Sequence, residues 1–175
     1  MKKFSILVLL MFGVLISAVA NETKQILGNN FVLKYSAKDG GHYFNEYVMP
    51  NETYNNWTKL FSVYEFPKNS TAMQSAKGLA QMANSRYDGA DAQFTACPKN
   101  SDCNAMVTFT AYNGSIKEFN VWKYKDYPDR ILANQYAIRV SANKNFDSQN
   151  IYNIVRDFVK LNMEDVKNIK VDNPN

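Results

Sequence analysis

The chain has 175 residues, with 20 Lys and Arg against 16 Asp and Glu, and its formal net charge at pH 7 is +4. Without Lys2 and Lys3, which precede an apolar run, 18 basic residues face 16 acidic ones and the charge falls to +2. No clustered basic face is visible in the remainder, so nothing in the composition indicates a nucleic-acid partner.

The first twenty residues predict an export signal. Lys2 and Lys3 form a positive region, residues 6–16 are almost entirely apolar, and Ala18 and Ala20 are the small residues that signal peptidase requires. We therefore expect cleavage after Ala20 and a periplasmic or secreted bacterial protein, not inserted in the membrane after cleavage. The alternative is an uncleaved anchor, although the run is shorter than the about 20 residues that span a bilayer.

The remainder, residues 21–175, is expected to form a single globular domain with residues 21–30 and 172–175 loosely ordered. Alternating apolar residues between turn signals predict three strands, at residues 31–35, 43–49 and 59–66.

A helix is predicted next, at residues 72–86, because an Asn-Ser-Thr cluster precedes apolar residues at a spacing of three and four. A short strand follows at residues 93–96.

A meander of three strands then occupies residues 105–112, 116–124 and 131–140. In its middle strand Ile116 and Val121 fall on opposite faces, which predicts either a bulge or a strand covered on both sides.

The strongest helical periodicity of the chain lies in residues 149–163. The predicted element order is therefore βββ-α-ββββ-α. This order is typical of an α+β fold, with one antiparallel sheet of about six or seven strands and two helices packed on it.

Cys97 and Cys103 are the two cysteines of the chain. They predict one disulfide, because cysteine pairs of exported proteins are oxidised in the compartments that these proteins enter. The bridge would close a loop of seven residues, counting both ends, which stabilises a fold by roughly 2.4 kcal/mol. A redox role would require a tighter Cys-X-X-Cys motif at a helix start.

No catalytic residue, cofactor site or metal site is predicted. His42 is the single histidine, next to a Gly-Gly turn, whereas zinc needs three or four His, Cys or carboxylate ligands. Paired carboxylates remain the enzymatic option, since hydrolysis of a glycoside needs two facing one cleft. Glu46, Glu52 and Glu65 lie close together in sequence, but solvated strand faces explain them better than a catalytic pair does.

The most distinctive local pattern is the polar turn after the second strand, which contains Tyr54, Asn55, Asn56 and Trp57. These four residues form a possible binding surface, because aromatic rings with polar neighbours serve as contact anchors. The alternative is that Trp57 plugs one end of the core.

The element order resembles the PsbP/Mog1/DcrB-type α+β layout. The shared features are a signal, an N-terminal hairpin, Trp57 entering a core strand, a first helix, a long meander and an amphipathic C-terminal helix. The resemblance implies a non-enzymatic accessory or binding protein and carries over no functional residue.

The sequence thus predicts a small exported non-enzymatic protein that binds a protein partner or a small ligand in the cell envelope, in an accessory, inhibitor or immunity-type role. Two alternatives stay open. One is a cell-envelope hydrolase that uses paired carboxylates, and the other is a structural component of an envelope or secretion complex.

Overall fold

The computed structural model describes residues 22–163, in which eight strands form one antiparallel sheet accompanied by two helices. The strands are β1 Thr23–Ile26, β2 Asn29–Asp39, β3 His42–Val48, β4 Lys59–Pro67, β5 Gln93–Ala96, β6 Ala105–Asn113, β7 Ile116–Asp126 and β8 Arg130–Ser141. The helices are α1 Ala72–Arg86 and α2 Ser148–Lys160. The α+β class and the antiparallel sheet are confirmed.

The prediction of six or seven strands was too low, because residues 22–30 are not a loose lead-in; residue 21 lies outside the described residues. They contain β1, which pairs with β2 through a two-residue turn at Leu27 and Gly28. Both turn residues have positive φ, 49° and 73°, the backbone that matches the twist of a hairpin. Leucine rarely adopts it, so the turn is invisible in the sequence.

The strand order across the sheet is β1-β2-β3-β4-β8-β7-β6-β5. The last strand of the chain, β8, lies in the middle, antiparallel to β4 on one side and to β7 on the other. It joins the N-terminal strands to the meander, so the sheet is continuous across both halves of the described chain.

The two helices lie on opposite faces of this sheet, which we name the α1 face and the α2 face. On the α1 face, four alanines of α1 are buried together with Val107 and Trp122. On the α2 face, Phe158 of α2 is buried with Val121 and Tyr136. Strand β7 is therefore covered on both sides, which resolves the alternatives left open for its apolar pattern.

Small residues and a cap explain how α1 forms. Ala72, Ala76, Ala80 and Ala83 follow one another at helical spacing and let the helix approach β6 closely. Its N-terminus is closed by a reciprocal pair, in which the Thr71 side chain accepts from the Gln74 amide and the Gln74 side chain accepts from the Thr71 amide.

Helix α2 begins after Asp147, which caps it, and ends at Lys160, before the predicted residue 163. The predicted signal peptide and the predicted loose residues 172–175 lie outside the described residues. Neither helix within residues 22–163 combines the length and the apolar composition that a membrane span requires.

The predicted disulfide between Cys97 and Cys103 is present, and it closes the loop between β5 and β6. Asp102 inside this loop accepts a hydrogen bond from Lys125 of β7 and another, of 2.6 Å, from the backbone amide of Met163. The loop therefore holds the chain that follows α2 against the sheet.

A buried lysine completes this contact. Lys123 lies fully buried on the α2 face, where its ammonium group donates to the carbonyl of Leu161 and lies 5.1 Å from the ring centre of Phe158. Burial lowers its pKa to about 8, and Asp102 opposes that effect. We call this set, Asp102, Lys123 and Lys125 with the backbone of residues 161–163, the Asp102 clamp.

Candidate functional site

Polar side chains gather on the α1 face beside the region where α1 packs. Their placement follows from strand register, since directly paired residues share a face. Glu46 of β3 pairs with Ser62 of β4, Ser62 pairs with Gln135 of β8, and Glu118 of β7 pairs with Arg139 of β8. We call the resulting set the Glu46 network; its members are Glu46, Ser62, Tyr64, Glu118, Asn120, Gln135 and Arg139.

One end of the Glu46 network is an ion pair whose charge sets the direction of the hydrogen bonds beyond it. Arg139 Nε donates to Glu118 Oε2 at 2.8 Å, and Glu118 is only 1% exposed. The other oxygen of Glu118 accepts from Asn120 Nδ2 at 3.0 Å. The Asn120 oxygen then accepts from Gln135 Nε2 at 2.7 Å, which leaves the Gln135 oxygen pointing onward as an acceptor.

The other end of the network is the carboxyl group of Glu46. The Tyr64 hydroxyl lies 3.3 Å from Gln135 Oε1 and 3.2 Å from Glu46 Oε1, and it is the donor toward both oxygens. A hydroxyl has one proton to donate. Glu46 therefore shares this donor with Gln135.

The environment of Glu46 favours the neutral acid. Its side chain is 3% exposed, and burial raises its pKa to about 7, with a smaller upward contribution from Glu118. Hydrogen bonding with the hydroxyls of Tyr64 and Tyr54, and the charge of Arg139, act in the opposite direction. Burial wins because the one guanidinium nearby is held by Glu118.

Three buried polar atoms on the α1 face have no hydrogen-bond partner among the described residues. They are Glu46 Oε2, Ser62 Oγ and Trp122 Nε1. Buried polar atoms in folded proteins are almost always paired, so each exception needs a physical explanation. Glu46 and Ser62 are directly paired across β3 and β4, so two of the three atoms belong to neighbouring side chains.

A row of aromatic rings borders these atoms. Tyr35 lies 5.4 Å from Tyr54 and 5.2 Å from Phe44, measured between ring centres. Phe44 stacks on Tyr64 at 5.9 Å, and Tyr64 lies 5.0 Å from Trp122. The rings of Tyr35, Phe44 and Tyr64 are only half-buried, so part of this row faces solvent.

The turn between β3 and β4 covers the Glu46 network. The Trp57 ring lies under the guanidinium of Arg139, 3.4 Å from the ring centre to Cζ, and the Tyr54 hydroxyl acts on Glu46. The backbones of Thr53 and Asn56 close the turn with two hydrogen bonds of 3.1 and 3.3 Å. We call the region formed by β2, β3, β4 and this turn the turn-covered half of the α1 face.

The four residues that the sequence singled out in this turn have two different positions. Tyr54 and Trp57 contact the Glu46 network, whereas Asn55 and Asn56 are exposed on the outside of the turn. Trp57 also packs with Leu60 and other apolar residues in a small core cluster. Trp57 therefore packs in the core, and its role in a binding surface stays a prediction.

The three carboxylates proposed from sequence do not converge. Glu65 pairs with Leu132 and lies on the α2 face, 3.8 Å from Arg130. Glu52 accepts hydrogen bonds from the amide and the hydroxyl of Thr58 and so fixes the end of the turn. The acid that accompanies Glu46 is Glu118.

Glu118 could have been weighted more heavily from the sequence. It alternates with Asn120 inside a strand that is apolar at the other positions of the same face, and polar residues at alternating buried positions indicate a network. The partners from β4 and β8 could not be found this way, because they depend on the placement of β8 between β4 and β7.

Within residues 22–163, no three His, Cys, Asp or Glu side chains come together as metal ligands would. His42 starts β3 at the hairpin tip, as expected, and its ring lies 5.8 Å from Phe66.

A protein-family model matches residues 19–171, most of the chain, and its description states no activity, ligand or partner. No curated protein matches the sequence.

Proposed function

The chain belongs to the family whose model it matches, and we propose that it is a non-enzymatic binding protein that holds a small ligand in the turn-covered half of the α1 face. One observation carries the proposal. Glu46 is a buried acid whose pKa burial raises to about 7, and its Oε2 has no hydrogen-bond partner among the described residues; such a group destabilises a fold compared with an apolar side chain of the same size. Its presence on β3, an inner strand of the sheet, is best explained by a binding function.

A small ligand fits this site better than the face of a protein. The unpartnered atoms have almost no exposure, and Glu46 lies beside Tyr54 of the turn. A broad protein surface would contact the turn from outside and leave Glu46 untouched. A small molecule can reach Glu46 once Tyr54 moves aside.

Binding without catalysis is favoured by the state of the second acid. A hydrolase with two carboxyl groups needs one proton donor and one carboxylate with a free oxygen. In Glu118, one oxygen accepts from Arg139 and the other from Asn120. Glu118 is therefore occupied as a structural anion, and Glu46 alone supplies neither the nucleophile nor the base of such a pair.

We propose that the protein acts in the periplasm or outside the cell. The disulfide supports this location, because such bonds persist in oxidising compartments. The signal-like pattern of residues 1–20 supports it as well.

The binding function is tested with a fragment screen on ¹⁵N-labelled protein from residue 21 onward. We expect at least one fragment to shift amide resonances of the turn and of β3 and β4, and we expect Glu46→Gln to abolish those shifts. Glu65→Gln, a change of the same type on the opposite face, serves as the matched control and should leave them unchanged. If all fragments bind elsewhere, or bind the Glu46→Gln protein equally well, the proposal is wrong.

A further inference from the structure

The charges around Glu46 do not balance. The titratable and charged groups that face it are Tyr35 of β2, Tyr54 of the turn, Tyr64 of β4, Glu118 of β7 and Arg139 of β8. These groups contain one cation, and it is held by Glu118 at 2.8 Å and by the ring of Trp57. Glu46 is thus the second acid of a site that has one base.

We propose that the ligand of this site carries an ammonium or related organic cation, which displaces the Glu46 proton and pairs with the carboxylate that remains. The inference rests on the proposed binding function and names its ligand class. The proton leaves to solvent as the cation arrives, so the charge of the buried site is the same before and after binding.

The unpartnered atoms match this ligand chemistry. An ammonium group has only donors, and Glu46 Oε2 and Ser62 Oγ are two acceptors without partners among the described residues. Glu46 and Ser62 are directly paired across β3 and β4, so their side chains are neighbours on the α1 face. A carboxylate or phosphate ligand would instead add a second negative charge to a buried site in which the one cation, Arg139, is already paired with Glu118.

The aromatic border supports the same class. Cations are attracted to the faces of aromatic rings, most strongly where water is excluded. Tyr35, Phe44 and Tyr64 form a continuous row beside Glu46. Arg139 over Trp57 shows that this part of the α1 face already holds one cation on a ring.

A set of three probes of the same shape tests the charge requirement: propylammonium chloride, 1-propanol and sodium propionate. Each is titrated into the labelled protein and followed through amide shifts of the turn, β3 and β4. We expect propylammonium to bind tightest and propionate not to bind. Exchange with a proton also predicts affinity for propylammonium about tenfold higher at pH 8 than at pH 6, since the pKa of Glu46 is about 7.

Variants separate this inference from the proposed function. Glu46→Gln should remove the binding of propylammonium and its pH dependence, while Glu65→Gln should keep both. If 1-propanol or propionate binds at the turn as tightly as propylammonium, or if the affinity is equal at pH 6 and pH 8, the ligand class is wrong. The binding function would still stand in the first case, because the site would be occupied.

If none of the three probes shifts these resonances, the cation inference is overturned. The fragment screen, which contains neutral and anionic compounds, then decides the binding function separately.

Discussion

The two faces of the sheet differ in how their buried charged groups are paired. In the Asp102 clamp on the α2 face, Asp102 accepts from Lys125 and from the Met163 amide, and the buried Lys123 donates to a backbone carbonyl. In the Glu46 network on the α1 face, Arg139 and Glu118 pair completely, but Glu46 keeps an unpartnered oxygen.

Under the proposed function, this difference separates polar groups that stabilise the fold from polar groups that bind a ligand. Every charge of the Asp102 clamp has a partner that belongs to the fold, and those partners hold the end of α2 in place. A carboxyl group that must take up a proton to remain buried does nothing comparable for the fold. Perturbed acids of this kind are typical of binding and catalytic sites.

Three residues of the α2 face limit the contrast. Both polar atoms of the Asn134 amide, Asn45 Oδ1 and Arg130 Nε are buried without a hydrogen-bond partner among the described residues. The two asparagines are neutral, and the Arg130 guanidinium forms ion pairs with Glu65 and Asp129. The contrast between the two faces therefore concerns a buried acid without a counter-ion rather than buried polarity in general.

The largest effect is expected from Arg139→Met, which removes the single cation of the Glu46 network. Glu118 then remains buried without a counter-ion, and breaking a buried pair in this way lowers the free energy of unfolding by about 3–5 kcal/mol. Urea unfolding at pH 8 measures the loss, which should shrink at pH 5 because Glu118 can take up a proton.

The double variant Arg139→Met with Glu118→Gln is the control, and it should recover much of the lost stability. Equal losses in the single and the double variant would show that Arg139 acts through its packing on Trp57 instead.

A somewhat smaller effect is expected from Glu46→Gln. At high pH this variant should be more stable than the wild-type protein, whereas Arg139→Met is less stable. The folded protein holds the Glu46 proton up to about pH 7, whereas the unfolded chain releases it near 4.5. The stabilisation is therefore complete below pH 4.5 and is lost as the pH rises through 7, by about 3 kcal/mol in total. Relative to Glu46→Gln, the wild-type protein should lose that much stability between pH 4.5 and 8.

Urea unfolding of both proteins at several pH values measures this difference. Parallel stability curves would contradict a raised pKa, and so would a side-chain carboxyl ¹³C resonance of Glu46 that titrates near pH 4.5.

The smallest effect is expected from Lys123→Met, the same type of replacement as Arg139→Met but in the Asp102 clamp. Asp102 keeps Lys125 and the Met163 amide, so no acid is left alone, and the stability at pH 7 should change by about 1 kcal/mol or less. A loss as large as that of Arg139→Met would erase the contrast between the two faces.

Lys123→Met should also change how the stability of the protein depends on pH. Burial lowers the pKa of Lys123 from 10.5 to about 8, so the unfolded chain binds more protons between these values. The stability of the wild-type protein therefore gains a component that rises across that window, and Lys123→Met should lack it.

The features that could be predicted from the sequence are those whose signals lie in neighbouring residues. The strands of the meander, both helices and the disulfide follow from spacing and turn residues near them. Strand β1 was missed because its turn uses Leu27 in a backbone conformation that leucine rarely adopts. Tyr54 and Trp57 were found because two aromatic rings stand out in a polar turn.

The partners of Glu46 were out of reach for a different reason. Glu46, Tyr64, Glu118 and Gln135 come from four strands, and they meet because β8 lies between β4 and β7. Sequence separation hides this arrangement, since Tyr64 and Gln135 are 71 residues apart. The hydrolase alternative grouped Glu65 with Glu46 because the two are near in sequence, but the register places Glu65 on the other face.

The central position of β8 also fixes the order in which the strands can pair during folding. Strands β1 to β4 can pair through short turns, and so can β5, β6 and β7, but the innermost pairing of β4 with β8 joins Pro67 to Arg130 across 63 residues. Closing so long a loop is slow, and until it closes β4 presents an unpaired edge to neighbouring chains. The Glu46 network lies across this seam, so the site exists only once the two halves have joined.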